Sequence, residues 1–116
     1  MQILFIVLNG LSYLDRILEK FIDLQVRGAT IIDSQGMAAA IMQNEGLLSL
    51  LAGPFARSLE NDQKNSKTIF TVIPETEKVS QVVKAVQDIV AGCKKQVVGF
   101  MFTLPVSGIY PLKPKK

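Results

Sequence analysis

The 116-residue sequence contains no histidine and a single cysteine, Cys93. Without histidine the chain lacks the commonest general base and the commonest metal ligand, so no histidine-based catalytic or metal site is available. A lone cysteine cannot form a disulfide within the chain, and a reducing, cytoplasmic setting is the simplest expectation. No serine, cysteine or pair of carboxylates has a visible catalytic partner, which indicates a protein that is not an enzyme.

Apolar runs of membrane length and a basic surface are missing as well. The apolar residues 1–10 lack a basic leader and are too short to span a membrane, so they predict a first strand. Three lysines near the C-terminus, Lys113, Lys115 and Lys116, account for the net charge of +3. The rest of the chain is therefore neutral and predicts no nucleic-acid-binding face. The length predicts one domain, residues 1–110, followed by a basic tail, residues 111–116.

The chain does contain an alternation of strand and helix patterns, clearest in its second half. Residues 66–73 are rich in β-branched and aromatic side chains and end at Pro74. Aliphatic residues then recur at the i, i+3, i+4, i+7 spacing of an amphipathic helix that stops at Gly92: Val79, Val82, Val83, Val86, Ile89 and Val90. Residues 97–104 are apolar almost throughout, a pattern typical of a central strand buried on both faces.

The first half follows the same order. Residues 3–8 predict a strand, Ser12 is a candidate helix N-cap, and the helix should end near Leu24. Its apolar stripe consists of Leu14, Ile17, Leu18 and Phe21. Residues 29–32 predict the second strand. Two such halves joined by right-handed crossovers give an α+β ferredoxin-like fold, βαββαβ, with a four-stranded antiparallel sheet and two helices on one face.

Two features of this plan point to interactions with other chains. Residues 97–104 have too much apolar surface for a face in water, which predicts that oligomerisation buries the open face of the sheet. Residues 37–65 form a longer connection between strands two and three than a hairpin needs. This connection is either an extension of strand two with a small helix at the domain edge, or a loop that binds a partner. In the second case the apolar anchors are Leu47, Leu48, Leu50, Leu51 and Phe55.

Several short segments, in this order, are similar to the PII signal-transduction proteins and their PII-like relatives. Residues 26–31, V-R-G-A-T-I, resemble the V-x-G-x-T-V that enters the family's second strand, and Gly36 falls where its G-x-G begins. Residues 67–74, K-T-I-F-T-V-I-P, resemble K-I-E-I-V-V-P. Residues 91–92 occupy the position of the family's T-G motif, and residues 99–106 occupy the position of its G-K-I-F-V-x-x-V motif. The resemblance covers about residues 1–110.

This resemblance implies a homotrimeric regulatory protein that acts in signal transduction, such as nitrogen regulation or the control of an enzyme. It implies a small anionic effector, with ATP, ADP or another nucleotide as first candidates, bound in clefts between subunits. The positions that match the family's ligand site are Gly36, Met37, Gly92, Lys94 and Lys95. The 37–65 connection corresponds to the family's T-loop, which implies contact with a partner protein, soluble or in a membrane.

The sequence departs from the family at the phosphate-binding loop. The family's T-G-x-I-G-D-G-K is replaced by A-G-C-K-K-Q-V-V-G at residues 91–99, so the G-D-G that forms much of the phosphate nest is missing. Residues 37–65 also contain no tyrosine, the residue that is uridylylated in the family. The chain therefore resembles a divergent PII-like protein.

Two other classes share the strand order. Gly10, the glycine after strand one, would suit an ACT-like amino-acid-sensing module, although such modules usually lack a long central loop. A ligand-free oligomeric interaction module is a further alternative. An RNA-recognition module is disfavoured because residues 68–71, T-I-F-T, lack the basic and aromatic residues that stack on bases. A thermal-shift screen with nucleotides and amino acids discriminates between these alternatives.

Overall fold

The computed structural model describes residues 1–9, 11–35, 66–93 and 98–113. Its elements in chain order are strand β1 (Gln2–Leu8), a 3₁₀ turn (Leu11–Tyr13), helix α1 (Leu14–Asp23), β2 (Thr30–Ser34), β3 (Ser66–Ile73), α2 (Thr76–Val90) and β4 (Gly99–Pro105). The strands form one sheet in the order β2-β3-β1-β4, and every neighbouring pair is antiparallel. The predicted α+β ferredoxin-like fold is therefore confirmed.

One face of the sheet packs against both helices and forms the core. Successive residues of a strand point to opposite faces, and in β1 the buried members are Leu4, Ile6 and Leu8. They pack with Ile69 and Ile73 of β3. The helices contribute Ile17, Phe21, Val79, Val82 and Val86, which confirms the two predicted apolar stripes. Burial of each such side chain contributes about 1.5–3 kcal/mol, so this layer supplies most of the folding energy.

Helix α1 does not begin at the predicted cap. Tyr13 occupies the N-cap position and makes no side-chain capping hydrogen bond. Ser12 lies inside the preceding 3₁₀ turn, where its backbone is already helical. A capping serine needs an extended backbone to reach the amides of the first turn, so the prediction of Ser12 as N-cap is wrong.

The C-terminus of α1 ends in a Schellman motif. Gln25 has φ 61°, in the left-handed region. Its amide donates to the carbonyl of Ile22 at 3.0 Å, and the amide of Val26 donates to the carbonyl of Phe21 at 2.8 Å. Glycine is the usual residue at this position because it has no Cβ. The chain thus leaves α1 at the predicted place, with glutamine in glycine's usual role.

Helix α2 begins after Pro74. Glu75 is its N-cap residue with an extended backbone, and Glu77 lies in the first turn, where the helix dipole favours negative charge. The helix ends at Val90 with Ala91 as its C-cap, so Gly92 lies at the C′ position, where the stop was predicted. Gly92 is exposed, its φ is not positive, and a Cβ there would meet open space. Its position therefore does not require glycine.

Strand β4 is an edge strand, and the prediction of a central strand buried on both faces is wrong. It pairs with β1 on one side and lies at the end of the strand order. Most of its residues are exposed. An unbroken apolar run is expected wherever a strand is covered on both faces, whether by its own helices or by another chain. The sequence pattern does not distinguish burial by the chain's own helices from burial by another chain.

The first residue of β4 has a backbone that only glycine tolerates. Gly99 has φ 152°, and a Cβ there would lie 1.9 Å from the carbonyl oxygen of Val7. The two chains approach closely because Gly99 pairs with Leu8, and the amide of Asn9 donates to the carbonyl of Val98 at 2.7 Å. Gly99 therefore sets the point at which β4 joins the sheet.

Across the described ranges, neither helix is long and apolar enough to cross a membrane.

Candidate functional site

The face of the sheet that the helices leave uncovered, here called the open face, is apolar over β1 and β4. Residues directly opposite each other on antiparallel strands share a face, so the register defines its members. One row joins Leu104, Ile3 and Val72, and a second joins Phe102, Phe5 and Phe70. With the neighbouring pair Phe100 and Val7 these rows form the apolar patch: Ile3, Phe5, Val7, Phe70, Val72, Phe100, Phe102 and Leu104.

Aromatic rings form the centre of the apolar patch. Phe5 stacks on Phe102 with ring centroids 4.8 Å apart, and its centroid lies 5.6 Å from that of Phe70. Phe100 continues the row from Phe102 at 6.1 Å. The rings are ordered against each other but poorly covered, since Phe100 is 60% and Phe102 41% exposed. A contiguous apolar surface of this kind marks an interaction site on a folded protein.

The open face is polar at the end of β2. Ser66 is buried, and its hydroxyl donates to the carbonyl of Ser34 at 3.0 Å. The Ser34 hydroxyl lies 2.7 Å from that of Ser66 and accepts a hydrogen bond from Thr68 at 2.9 Å. Because the Ser66 proton is already committed, Ser34 donates to Ser66. On the other face Lys67 pairs with Asp33. These contacts satisfy the side chains internally and tie β2 to β3.

The segment after α2 begins with a contact between two residues far apart in sequence. A hydrogen bond with the Cys93 thiol raises the pKa of the Tyr13 hydroxyl, and partial burial acts in the same direction. From the sequence, Cys93 is predicted only to form no disulfide within the chain, and Tyr13 has no predicted role. The contact holds the end of α2 against the 3₁₀ turn before α1. Gly92, the one predicted ligand residue among the described ones, is exposed next to this contact.

The other predicted site residues lie outside the described residues. These are the ligand positions Gly36, Met37, Lys94 and Lys95 and the partner positions Leu47, Leu48, Leu50, Leu51 and Phe55. The described strands do fix where the two ligand segments attach, because residue 36 follows the end of β2 and residues 94–95 precede β4.

These two attachment points lie at one end of the sheet but on opposite edges. Leu8 at the end of β1 pairs with both Lys67 and Gly99, and Ser66 pairs with Ser34. The end of β2 and the start of β4 therefore share an end of the sheet. In the order β2-β3-β1-β4 they are three strand spacings apart, or about 14 Å.

Comparison with known proteins adds no relative. The sequence matches no protein-family model, and no curated protein matches it significantly.

Proposed function

We propose that this protein is a homotrimeric, PII-like regulatory protein that binds a small anionic effector between subunits and signals to a partner through residues 37–65. The observation that carries the proposal is the apolar patch on a sheet of ferredoxin-like order. Burial of this patch against other copies removes from water the aromatic surface that the helices leave uncovered. A regulatory role suits a chain whose candidate ligand and partner segments adjoin its sheet. The cytosol is the proposed setting.

The separation of the two ligand segments favours a cleft between subunits. Within one copy, the end of β2 and the start of β4 lie at opposite edges of the sheet, about 14 Å apart. A small anion spans this distance within one copy only with difficulty, whereas in the proposed trimer the segment that follows β2 in one copy meets the segment that precedes β4 in the next. In this proposal Lys94 and Lys95 supply the positive charge of the cleft, because charge-assisted bonds to phosphate are among the strongest hydrogen bonds.

Calorimetric titration tests the ligand. ATP, ADP, AMP and cyclic dinucleotides are titrated into the intact protein, into a Lys94→Ala/Lys95→Ala variant, and into Lys84→Ala. Lys84 is the matched control because it is an exposed lysine on α2, away from the proposed cleft. We expect at least one nucleotide to bind, and binding to weaken in the double variant alone. Absence of binding, or equal binding by all three proteins, contradicts the proposed ligand site. The remaining function is then that of an interaction module that binds no ligand.

Deletion of residues 42–64 tests the partner loop. Shortening a connection changes the closure entropy only slightly, so we expect the fold and the oligomer to survive while partner binding is lost. Circular dichroism and light scattering measure the first two properties. Unfolding of the shortened chain would assign the segment to the core and overturn its role as a loop.

A further inference from the structure

Strand β4 borders an apolar groove on the helix side of the sheet. The groove has a volume of about 430 Å³ and lies between the second half of α2 and the inward side of β4. Its walls include Val83, Val86 and Val90 of α2 and Val98 and Met101 of the β4 segment. Since the two helices pack mainly over β1 and β3, the inward side of β4 is left partly open. The groove also reaches Val7, Phe100 and Phe102, so it borders the apolar patch at the β4 edge while its other walls lie on the helix side of the sheet.

The chain that follows β4 carries apolar side chains without cover. This segment, Val106 to Lys113, is here called the arm. Its first residue is anchored, because the amide of Val106 donates to the carbonyl of Met1 at 3.2 Å. Beyond it Ile109 is 54%, Tyr110 87% and Leu112 104% exposed. Three large apolar residues in so short a segment indicate a contact that a single copy does not make.

We propose that the arm of one copy docks into the groove between α2 and β4 of a neighbouring copy. The proposal rests on the self-association proposed above and adds a second contact, on the helix side of the sheet, to the one made by the apolar patch. It commits to a second copy as the source of the occupant, because one chain carries both the apolar groove and an uncovered apolar segment of matching length.

The lengths match. The groove follows β4 from Val98 to Thr103, six residues that span about 20 Å. The eight residues of the arm reach at most about 26 Å when extended. Pro105 precedes the arm and Pro111 lies within it, and both restrict the backbone, so docking loses less conformational entropy than for an ordinary segment. The arm can therefore cover the whole groove.

The direction of the chain favours the groove of a neighbour over its own. The arm leaves β4 beyond Pro105, at the end of the strand away from Val98. A return to its own groove requires the chain to reverse within residues 106–108, whereas a neighbouring copy receives the arm without a reversal. In a closed ring every copy gives one arm and receives one, so the contact is satisfied throughout.

The size of the contact sets its expected effect. The three exposed side chains bury on the order of 300 Å² of apolar surface per arm. A standard interface needs about 800 Å² per partner, so the arm strengthens an assembly that the apolar patch forms and does not replace that patch. Loss of the arm contact should therefore weaken assembly without abolishing it.

Two measurements on the full chain test the arm. In the first, analytical ultracentrifugation compares the intact protein with Ile109→Asp/Leu112→Asp and with the control Ser107→Asp, an exposed polar position on the same arm. We expect the dissociation constant to rise about tenfold or more in the double variant and to stay unchanged in the control. An unchanged constant in the double variant overturns the proposal.

The second measurement identifies the docking site by crosslinking in a Cys93→Ser background. One tagged copy carries Thr103→Cys at the groove and a differently tagged copy carries Tyr110→Cys on the arm; both positions are exposed. A short bismaleimide should join the two introduced thiols and give a product that carries both tags. Ile32→Cys, at the opposite edge of the sheet, should give no such product with Tyr110→Cys. A chain carrying both Thr103→Cys and Tyr110→Cys that crosslinks only within itself shows docking in its own groove and overturns the proposal.

The two levels of failure are distinguishable. If the intact protein is a monomer, the proposed assembly fails and the arm contact fails with it. If the protein assembles but neither the arm variant nor the crosslinks behave as expected, the arm contact alone is wrong and the trimer stands.

Discussion

The two edge strands of the sheet, β2 and β4, both expose apolar side chains, including Ile31 and Ile32 of β2, but they differ in length and in how their polar groups are bonded. β2 is five residues long, and its last two residues are bonded to β3 through Asp33 with Lys67 and Ser34 with Ser66. β4 is seven residues long, has no charged side chain, and exposes Phe100, Phe102 and Leu104. Short, charged edges are how folded proteins avoid pairing with other chains. The contrast supports the proposal that β4 contacts other copies, whereas the side chains at the end of β2 are bonded within their own chain.

The largest effect is expected where β4 joins the sheet. Gly99→Ala places a Cβ against the carbonyl oxygen of Val7, a backbone atom that cannot move without breaking the β1–β4 pairing. We expect a loss of about 3 kcal/mol in the free energy of unfolding, measured by urea denaturation. Gly92→Ala is the matched control, because a Cβ there meets open space. Equal stability of the two variants would show that the close approach at Gly99 does not hold β4 in place.

A charge on each edge strand tests the contrast directly. Phe100→Asp places a carboxylate in the apolar patch, where burial against another copy costs several kcal/mol. We expect this variant to be a folded monomer by light scattering, because Phe100 is already 60% exposed within one copy. Ile31→Asp, at an exposed position of β2 on the helix side of the sheet, should leave the oligomer intact. Dissociation by both variants, or by neither, would remove the distinction between the edges.

A smaller effect is expected from the hydroxyl network that ties β2 to β3. Ser66→Ala removes a buried hydroxyl that donates to the Ser34 carbonyl and accepts from the Ser34 side chain. The expected cost is about 1 kcal/mol in urea denaturation, with no change in oligomeric mass. Ser107→Ala, at an exposed position of the arm, is the control and should be neutral. A change in mass on Ser66→Ala would place an interface at the β2 edge.

The smallest effect is expected from the ion pair at the same edge. Asp33 is 84% and Lys67 30% exposed, so water screens their attraction and the pair contributes less than about 1 kcal/mol. Asp33→Ser should therefore change the unfolding free energy by no more than a few tenths of a kcal/mol at moderate salt. A loss above about 2 kcal/mol would mean that the pair is a structural element of β2 and not a surface charge.

The sequence predicts those parts of the fold that follow from periodicity. The stripes of α1 and α2 and the alternation in β1 depend on local spacing, and the structure confirms them. The edge position of β4 was missed because an apolar run is expected for any strand that is buried on both faces, whether by elements of its own chain or by another chain. The prediction of Ser12 as the N-cap was wrong because a 3₁₀ turn extends the helical backbone by one turn before α1.

The candidate site is less predictable because its parts come from distant segments. Gly92 is predicted from the resemblance to the PII family, yet its neighbour Cys93 meets Tyr13, some eighty residues earlier, and no spacing rule pairs them. The apolar patch was predicted only in outline, from the composition of residues 97–104. Its aromatic centre required the strand register, which places Phe5 between Phe70 and Phe102.

Sedimentation equilibrium of the intact protein across the micromolar range tests the central claim, that the apolar patch is an interface between copies of this chain. We expect a mass three times the 12.7 kDa of the chain, with dissociation only on dilution. A mass of 12.7 kDa at every concentration would contradict it.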